Sequence, residues 1–178
     1  MGMALAIVTL GCSATSQTRG DAAIRTDQLI YHAEIVNDSR PAVQLTIETE
    51  YTNTTDNTVY LIGCHQPSAP QLQKYKDGEW VTVYSPVENE CLSPPWEISP
   101  GETYRDTYQV YGYLPGYNAA PTFDATIPGR YRLVRDIYQE LSDPVNEAEL
   151  LPLSERISNE FKIINDVEYG NTIIIVIS

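Results

Sequence analysis

Basic residues are scarce in this chain of 178 residues, because 11 lysines and arginines stand against 24 aspartates and glutamates. The formal net charge is −13, and the basic residues form no cluster in the sequence. The chain therefore lacks the electrostatic footprint of a nucleic-acid-binding protein. The same acidity argues against binding to an anionic membrane surface. With 42% hydrophobic residues the chain can still fill a core, and its length suits one domain.

Histidine is rarer still, since the sequence has only His32 and His65. Neither lies near a Gly-x-Ser-x-Gly nucleophile pattern, and no segment has the spacing of an EF-hand calcium loop. Carboxylate pairs such as Glu48 and Glu50 occur, but an acidic surface produces such pairs without a catalytic purpose. We therefore predict a protein that is not an enzyme and that has no catalytic residues, no metal site and no cofactor.

Long apolar runs are missing, and the apolar start of the chain is too short to span a bilayer as a stable anchor. Residues 1–11 are predicted to be a signal peptide. The sequence Val8-Thr9-Leu10-Gly11-Cys12 resembles the lipobox of bacterial lipoproteins, in which a lipidated cysteine becomes the new N-terminus. The resemblance implies a lipid anchor at Cys12. The alternative is a buried N-terminal strand that contains a thiol.

The rest of the chain has the pattern of an all-β domain. Residues 12–26 are predicted to hold the lipidated cysteine and a flexible tether rich in small polar residues, and residues 27–178 to form the domain. Alternation of apolar and polar residues over 43–51 predicts a half-buried strand, and Asp77-Gly78 predicts a tight hairpin. Further strands are expected at 58–62, 72–75, 80–84, 103–111, 130–138, 160–167 and 172–177. One helix of about two turns is expected over residues 143–151.

Seven to nine short strands separated by proline and glycine indicate an antiparallel β-sandwich. Several segments, in their order and spacing, resemble the bacterial immunoglobulin-like domains of exported and lipid-anchored proteins, over roughly residues 42–165. These segments are Leu45-Thr46-Ile47, Tyr75-Lys76-Asp77-Gly78-Glu79-Trp80-Val81-Thr82-Val83, Ser99-Pro100-Gly101-Glu102 and Pro128-Gly129-Arg130-Tyr131-Arg132-Leu133-Val134. The resemblance implies a non-enzymatic, extracytoplasmic, immunoglobulin-like sandwich. Tyr131 is expected to form a tyrosine corner, with its ring in the core and its hydroxyl on upstream backbone.

The sequence holds three cysteines. Once Cys12 is assigned to lipidation, Cys64 and Cys91 remain, and in an oxidising compartment they are expected to form a disulfide. The alternative is a zinc site with Cys64, His65 and Cys91 as ligands.

Tyrosine is abundant, with 13 residues against two phenylalanines and two tryptophans. Tyr111, Tyr113 and Tyr117 lie in or next to a segment with proline and glycine. A tyrosine offers an apolar ring and a wet hydroxyl, which suits binding of peptides or sugars. We therefore predict that these three rings are exposed and form a ligand surface.

Together these patterns predict an acidic, secreted, lipid-anchored binding or structural module of the bacterial cell envelope. Its partner would be an unidentified envelope protein or glycan, and its only membrane contact would be the lipid at Cys12. One alternative is a secreted protease inhibitor that uses the loop 111–121, which would have to protrude from the sheet rather than fold over it. The other is a hydrolase with a site that the sequence does not reveal, which would need a pocket containing His32 or His65.

Overall fold

A computed structural model of the chain describes residues 22–37, 39–87, 93–124, 126–141 and 148–165. These residues are almost entirely β, with twelve strands and one short 3₁₀ turn over Leu153–Glu155. The strands are β1 (Ile24–Thr26), β2 (Ile30–Asn37), β3 (Pro41–Thr52), β4 (Val59–Leu61), β5 (Gln71–Lys76), β6 (Glu79–Tyr84), β7 (Trp96–Ile98), β8 (Thr103–Tyr113), β9 (Gly129–Val134), β10 (Tyr138–Glu140), β11 (Glu149–Leu150) and β12 (Phe161–Asn165).

Eight of the strands form one sheet. Seven of them follow the path β1-β3-β2-β12-β9-β5-β6, and β8 pairs with the other edge of β3. Strand β2 joins the two halves of this path, because its first half pairs in parallel with β12 and its second half pairs antiparallel with β3. The path folds over at β2, so that β3 and β8 face β5, β6, β9 and β12 across a shared core. The remaining strands form a smaller sheet in the order β11-β10-β4-β7.

The predicted all-β antiparallel sandwich is confirmed. In immunoglobulin domains strands A, B and E form one layer and strands C, F and G the other. Here β2, β3 and β8 occupy the first layer, and β5, β9 and β12 occupy the second. Twelve strands are present rather than seven to nine, because five of them have three residues or fewer and give little periodicity in the sequence.

The main core lies between the two layers and contains alternating side chains of the strands together with Phe123 and Ile127 from the segment between β8 and β9. Its fully buried members include Val43, Ile47, Leu72, Val110, Phe123, Tyr131, Leu133 and Ile163. A second, smaller core lies under the four-stranded sheet and contains Ile24, Tyr51, Val59, Leu61, Ile98, Ile137 and Leu151. Both cores are built mainly from valine, isoleucine, leucine and aromatic residues.

Two expectations from the sequence were wrong. The tether was predicted to run to residue 26, but Ile24–Thr26 form β1, which pairs with β3. Ile24 is 2% exposed in the second core, and one isoleucine among small polar residues gave no periodic signal. The predicted helix at 143–151 is also wrong at its end, because Glu149–Leu150 pair with β10 instead. Residues 1–11, 142–147 and 172–177 lie outside the described residues.

A corner at the start of β9 fixes how that strand enters the core. The hydroxyl of Tyr131 donates a hydrogen bond to the backbone carbonyl of Ile127, so the predicted tyrosine corner is confirmed. Beside it, the buried ammonium of Lys74 donates to the Thr126 hydroxyl at 3.0 Å and to the Pro128 carbonyl at 2.8 Å. A Cβ at Gly129 would lie 2.5 Å from the Cε of Lys74, so a larger residue there would have to displace this lysine side chain.

We expect Tyr131→Phe to lower the free energy of unfolding by about 1–2 kcal/mol, because it leaves a buried carbonyl without its donor. Tyr117→Phe is the matched control, since the Tyr117 side chain is 43% exposed. It should change stability by no more than about 0.5 kcal/mol. Urea denaturation of the three proteins measures the difference, and equal stability of Tyr131→Phe and the wild type would contradict the role of the corner.

Candidate functional site

The outer face of β5, β6 and β9 carries two arginines stacked on two aromatic rings. The guanidinium carbon of Arg130 lies 3.9 Å from the ring centre of Tyr75, and that of Arg132 lies 4.5 Å from the ring centre of Trp80. The two rings contact each other edge to face, with centroids 5.3 Å apart. We call these four side chains the arginine–aromatic cluster. Each cation over a ring face is favourable, so the four side chains hold one another in place.

The hairpin between β5 and β6 places the two rings side by side. Its turn contains Asp77 at φ 49° and Gly78 at φ 94°, the left-handed conformations that an Asp-Gly turn supplies. This turn sets the register in which Tyr75 lies directly opposite Trp80. Residues directly opposite on antiparallel strands have side chains on the same face, which explains the ring contact.

Strand β9 supplies the two arginines. Tyr131 and Leu133 are fully buried on the core side, and alternation then turns Arg130 and Arg132 to the outer face. Arg132 lies opposite Gln73 of β5 and donates to its side-chain oxygen from Nε at 2.9 Å. The position of β9 between β5 and β12 thus brings the arginines to the rings.

Strand β12 extends the positive charge of this face. Lys162 is exposed and lies opposite Arg130, while Glu160 accepts an ion pair from the Nε of Arg130 at 3.2 Å. Three cationic side chains and one carboxylate therefore share this face of a chain whose net charge is −13. The face is a local positive region of an acidic protein.

The Nε of Arg132 donates a hydrogen bond to Gln73, whereas the Nε of Arg130 lies 3.2 Å from the Glu160 carboxylate as an ion pair without hydrogen-bond geometry. Within the part of the chain that the structure describes, their terminal Nη groups have no hydrogen-bond partner. A guanidinium that stacks through its face leaves its N–H edge available for an oxyanion. Burial lowers the pKa of Arg132, and the Glu160 carboxylate opposes that effect, but an arginine remains charged at neutral pH. The cluster can therefore bind a flat apolar surface together with an anionic group.

The three tyrosines predicted as a ligand surface occupy different environments. Tyr117 is 43% exposed, as expected, but Tyr111 and Tyr113 are partly buried on β8, with rings in edge contact at 5.6 Å. The expectation of exposure was wrong for these two, because the strand continues through both residues and pairs with β3. Whether the three rings bind a ligand stays a prediction.

The loop that follows these tyrosines is tied back to the sandwich. The Tyr113 amide donates to the Pro121 carbonyl at 2.9 Å, and the Leu114 amide donates to the Pro41 carbonyl at 3.0 Å. At the tip, Arg40 donates to the Asn118 carbonyl at 3.2 Å. These bonds hold the loop against the β2–β3 turn, so the protease-inhibitor alternative gains no support from them.

The predicted cysteine and lipid sites lie partly outside the described residues. Cys12 and Cys91 lie outside the described residues. Neither the lipidation of Cys12 nor the disulfide between Cys64 and Cys91 is therefore tested, and both stay predictions. Cys64 and His65 follow β4 in a loop, where His65 is exposed. Among the described residues no group of three histidine, cysteine or acidic side chains could hold a metal ion.

The described part of the chain contains no helix that is long and apolar enough to cross a membrane.

A charged cleft of about 600 Å³ lies beside β1, β3 and β8. Three of its carboxylates have partners: Asp27 with Tyr31, Glu50 with Arg105 and Asp106 with Arg135. Burial acts to raise the pKa of Asp27, but the hydrogen bonds that it accepts outweigh this and lower the pKa. A general acid needs a raised pKa, so the Asp27 carboxylate does not suit that role. Neither His32 nor His65 lines this cleft.

The arginine–aromatic cluster was not identified from the sequence as a site. Two signals for it were present: Tyr75 and Trp80 flank the Asp-Gly turn symmetrically, and Arg130 and Arg132 alternate with the corner residue Tyr131. Each signal concerns a single hairpin or strand. Their meeting depends on the pairing of β5 with β9, which joins residues about 60 positions apart and leaves no local pattern.

A double-mutant cycle of Arg132→Ala and Trp80→Ala should show a coupling of about 0.5–1 kcal/mol in the free energy of unfolding. Arg105→Ala with Trp80→Ala is the control cycle, because Arg105 lies on β8 in the other layer and pairs with Glu50. Its coupling should be close to zero. Equal coupling in the two cycles would show that the stacking seen here does not hold the side chains together.

No protein-family model matches the sequence, and no curated protein is significantly similar to it.

Proposed function

We propose that the chain is a non-catalytic binding module of the bacterial cell envelope, with an immunoglobulin-like sandwich held at the membrane by a lipid on Cys12. The observation that carries the binding role is the arginine–aromatic cluster on the outer face of β5, β6 and β9. The signal peptide, the lipidated cysteine and the tether come from the sequence pattern of residues 1–23. A disulfide between Cys64 and Cys91 belongs to the same proposal, because the envelope outside the cytoplasm is oxidising.

The cluster has the order that a binding surface needs before its ligand arrives. Its two guanidinium groups are stacked on rings, and that of Arg132 also donates a hydrogen bond from Nε to Gln73, so little side-chain freedom remains to be lost on binding. Tyrosine, tryptophan and arginine are also the residues that contribute most at protein interfaces. A pre-ordered patch of these residue types supports a ligand-binding role.

Stability alone gives a weak reason for the cluster. The opposite face of the same strands already fills the core with Leu72, Tyr131 and Leu133. Exposed cation–π contacts and surface ion pairs each contribute only about 0.5–1 kcal/mol. Placing two partly exposed arginines side by side on an acidic chain is better explained by an anionic or polar ligand than by folding.

Retention on envelope material tests the binding role apart from the lipid anchor. The Cys12→Ser protein should co-sediment with envelope fragments from the bacterium, and adding Arg130→Gln and Arg132→Gln should release it. Arg105→Gln is the matched control, since the Arg105 side chain is 71% exposed on another face and should leave retention unchanged. Retention of the double variant at the wild-type level would refute the cluster as the binding surface.

Lipidation is tested by phase partitioning. The protein expressed from its natural start codon in a bacterial host should enter the detergent phase, because an acyl chain adds about 0.8 kcal/mol of membrane affinity per buried CH₂. Cys12→Ser should remain in the aqueous phase. Equal partitioning of both proteins would reject the lipid anchor while leaving the binding face untouched.

A further inference from the structure

We infer that the arginine–aromatic cluster binds a carboxylated polysaccharide, a glycan chain built from uronic acids. This inference rests on the proposed binding function and names the ligand class of the same face. Three features carry it: the positive charge of the face, the partly exposed rings between the cations, and the central position of β9 in its sheet.

Charge complementarity selects an anionic ligand. Arg130, Arg132 and Lys162 outnumber Glu160 on this face, whereas the chain as a whole carries −13. A carboxylate can accept two parallel hydrogen bonds from the N–H edge of one guanidinium, the strongest common geometry for this pair. Arg130 and Arg132 lie two residues apart on one strand, about 7 Å along it. A polymer with repeated carboxylates can engage both.

The rings favour a sugar as the carrier of those carboxylates. Tyr75 is 37% exposed and contacts the partly exposed Trp80, so the cluster presents apolar surface next to its cations. A pyranose ring has C–H groups on its flat face and hydroxyl groups around its rim. Aromatic side chains with an apolar body and a polar tip suit such a ligand.

The sheet topology disfavours an acidic peptide on the cluster. Extended peptides commonly bind by adding a strand to an open sheet edge, where main-chain hydrogen bonds supply the affinity. Strand β9, which carries both arginines, is paired with β5 on one side and β12 on the other, so on this side of the sheet a peptide strand could add only along β6, two strands away from β9. A ligand that crosses the middle of this face must be recognised by side chains alone. A polysaccharide meets that condition, because it has no peptide backbone to pair.

Titration of the protein with oligogalacturonate, followed by calorimetry, tests the inference. The wild type should bind, and rising salt should weaken the affinity because the contacts are charged and exposed. Arg130→Gln with Arg132→Gln should weaken binding by about tenfold or more, since both substitutions remove charged hydrogen-bond donors. Trp80→Ala should also weaken it, and Arg105→Gln should not.

Two comparison polymers decide the ligand class. Neutral dextran should not bind, and poly-glutamate, which carries carboxylates without sugar rings, should bind at least about tenfold more weakly than oligogalacturonate, a difference of about 1.4 kcal/mol. Equal binding of poly-glutamate would overturn the inference of a glycan ligand in favour of an acidic protein.

The absence of oligogalacturonate binding, with envelope retention still dependent on the two arginines, would overturn this inference alone. Retention on envelope fragments that does not depend on the two arginines would overturn the proposed function as well. Circular dichroism and urea denaturation of each variant confirm that a loss of binding is not a loss of folding.

Discussion

The insertion of Tyr131 into the core at the start of β9 is the constraint on which the outer face depends. Its hydroxyl is held by the carbonyl of Ile127, and the Lys74 ammonium ties the preceding loop to β5. Because side chains alternate along a strand, a fixed inward Tyr131 makes both neighbours point outward. A shift of β9 by one residue would bury two arginines and expose two core residues, so the corner and the binding face are specified together.

A buried ion pair holds the other end of the same strand. Arg135, which follows β9 directly, is almost fully buried and pairs with Asp106 of β8 at 2.7 Å across the two layers. It also donates to the Ser68 carbonyl and lies 5.2 Å from the ring centre of Tyr104. Removing one partner of a buried pair leaves an uncompensated charge, which is strongly destabilising. Strand β9 is thus fixed at both ends, which makes its central arginines a rigid platform.

The parts of this structure that could be predicted are those specified within one hairpin or one strand. The alternation in β3, the Asp77-Gly78 turn and the corner at Tyr131 were all visible in the sequence, because each depends on local sterics or a short-range pattern. The order of strands in the sheet depends on contacts between distant segments, so the arginine–aromatic cluster was missed. Apart from β4, the short strands of the smaller sheet were not predicted as separate strands for a related reason, since two or three residues cannot display a period. Tyr113 was placed beyond the predicted strand 103–111, because the nearby Pro115 and Gly116 suggested that β8 ends earlier than it does.

The functional account has one central claim: that the ordered arginines and rings of β5, β6 and β9 form the ligand surface. Chemical-shift mapping by NMR during titration with oligogalacturonate tests it most directly. The account predicts that the indole N–H of Trp80 and the Nε–H signals of Arg130 and Arg132 shift with the same saturation curve. The indole of Trp96, which packs against the second core, should remain unchanged. Shifts confined to the loop 114–121, or shifts of Trp96 without those of Trp80, would contradict the claim.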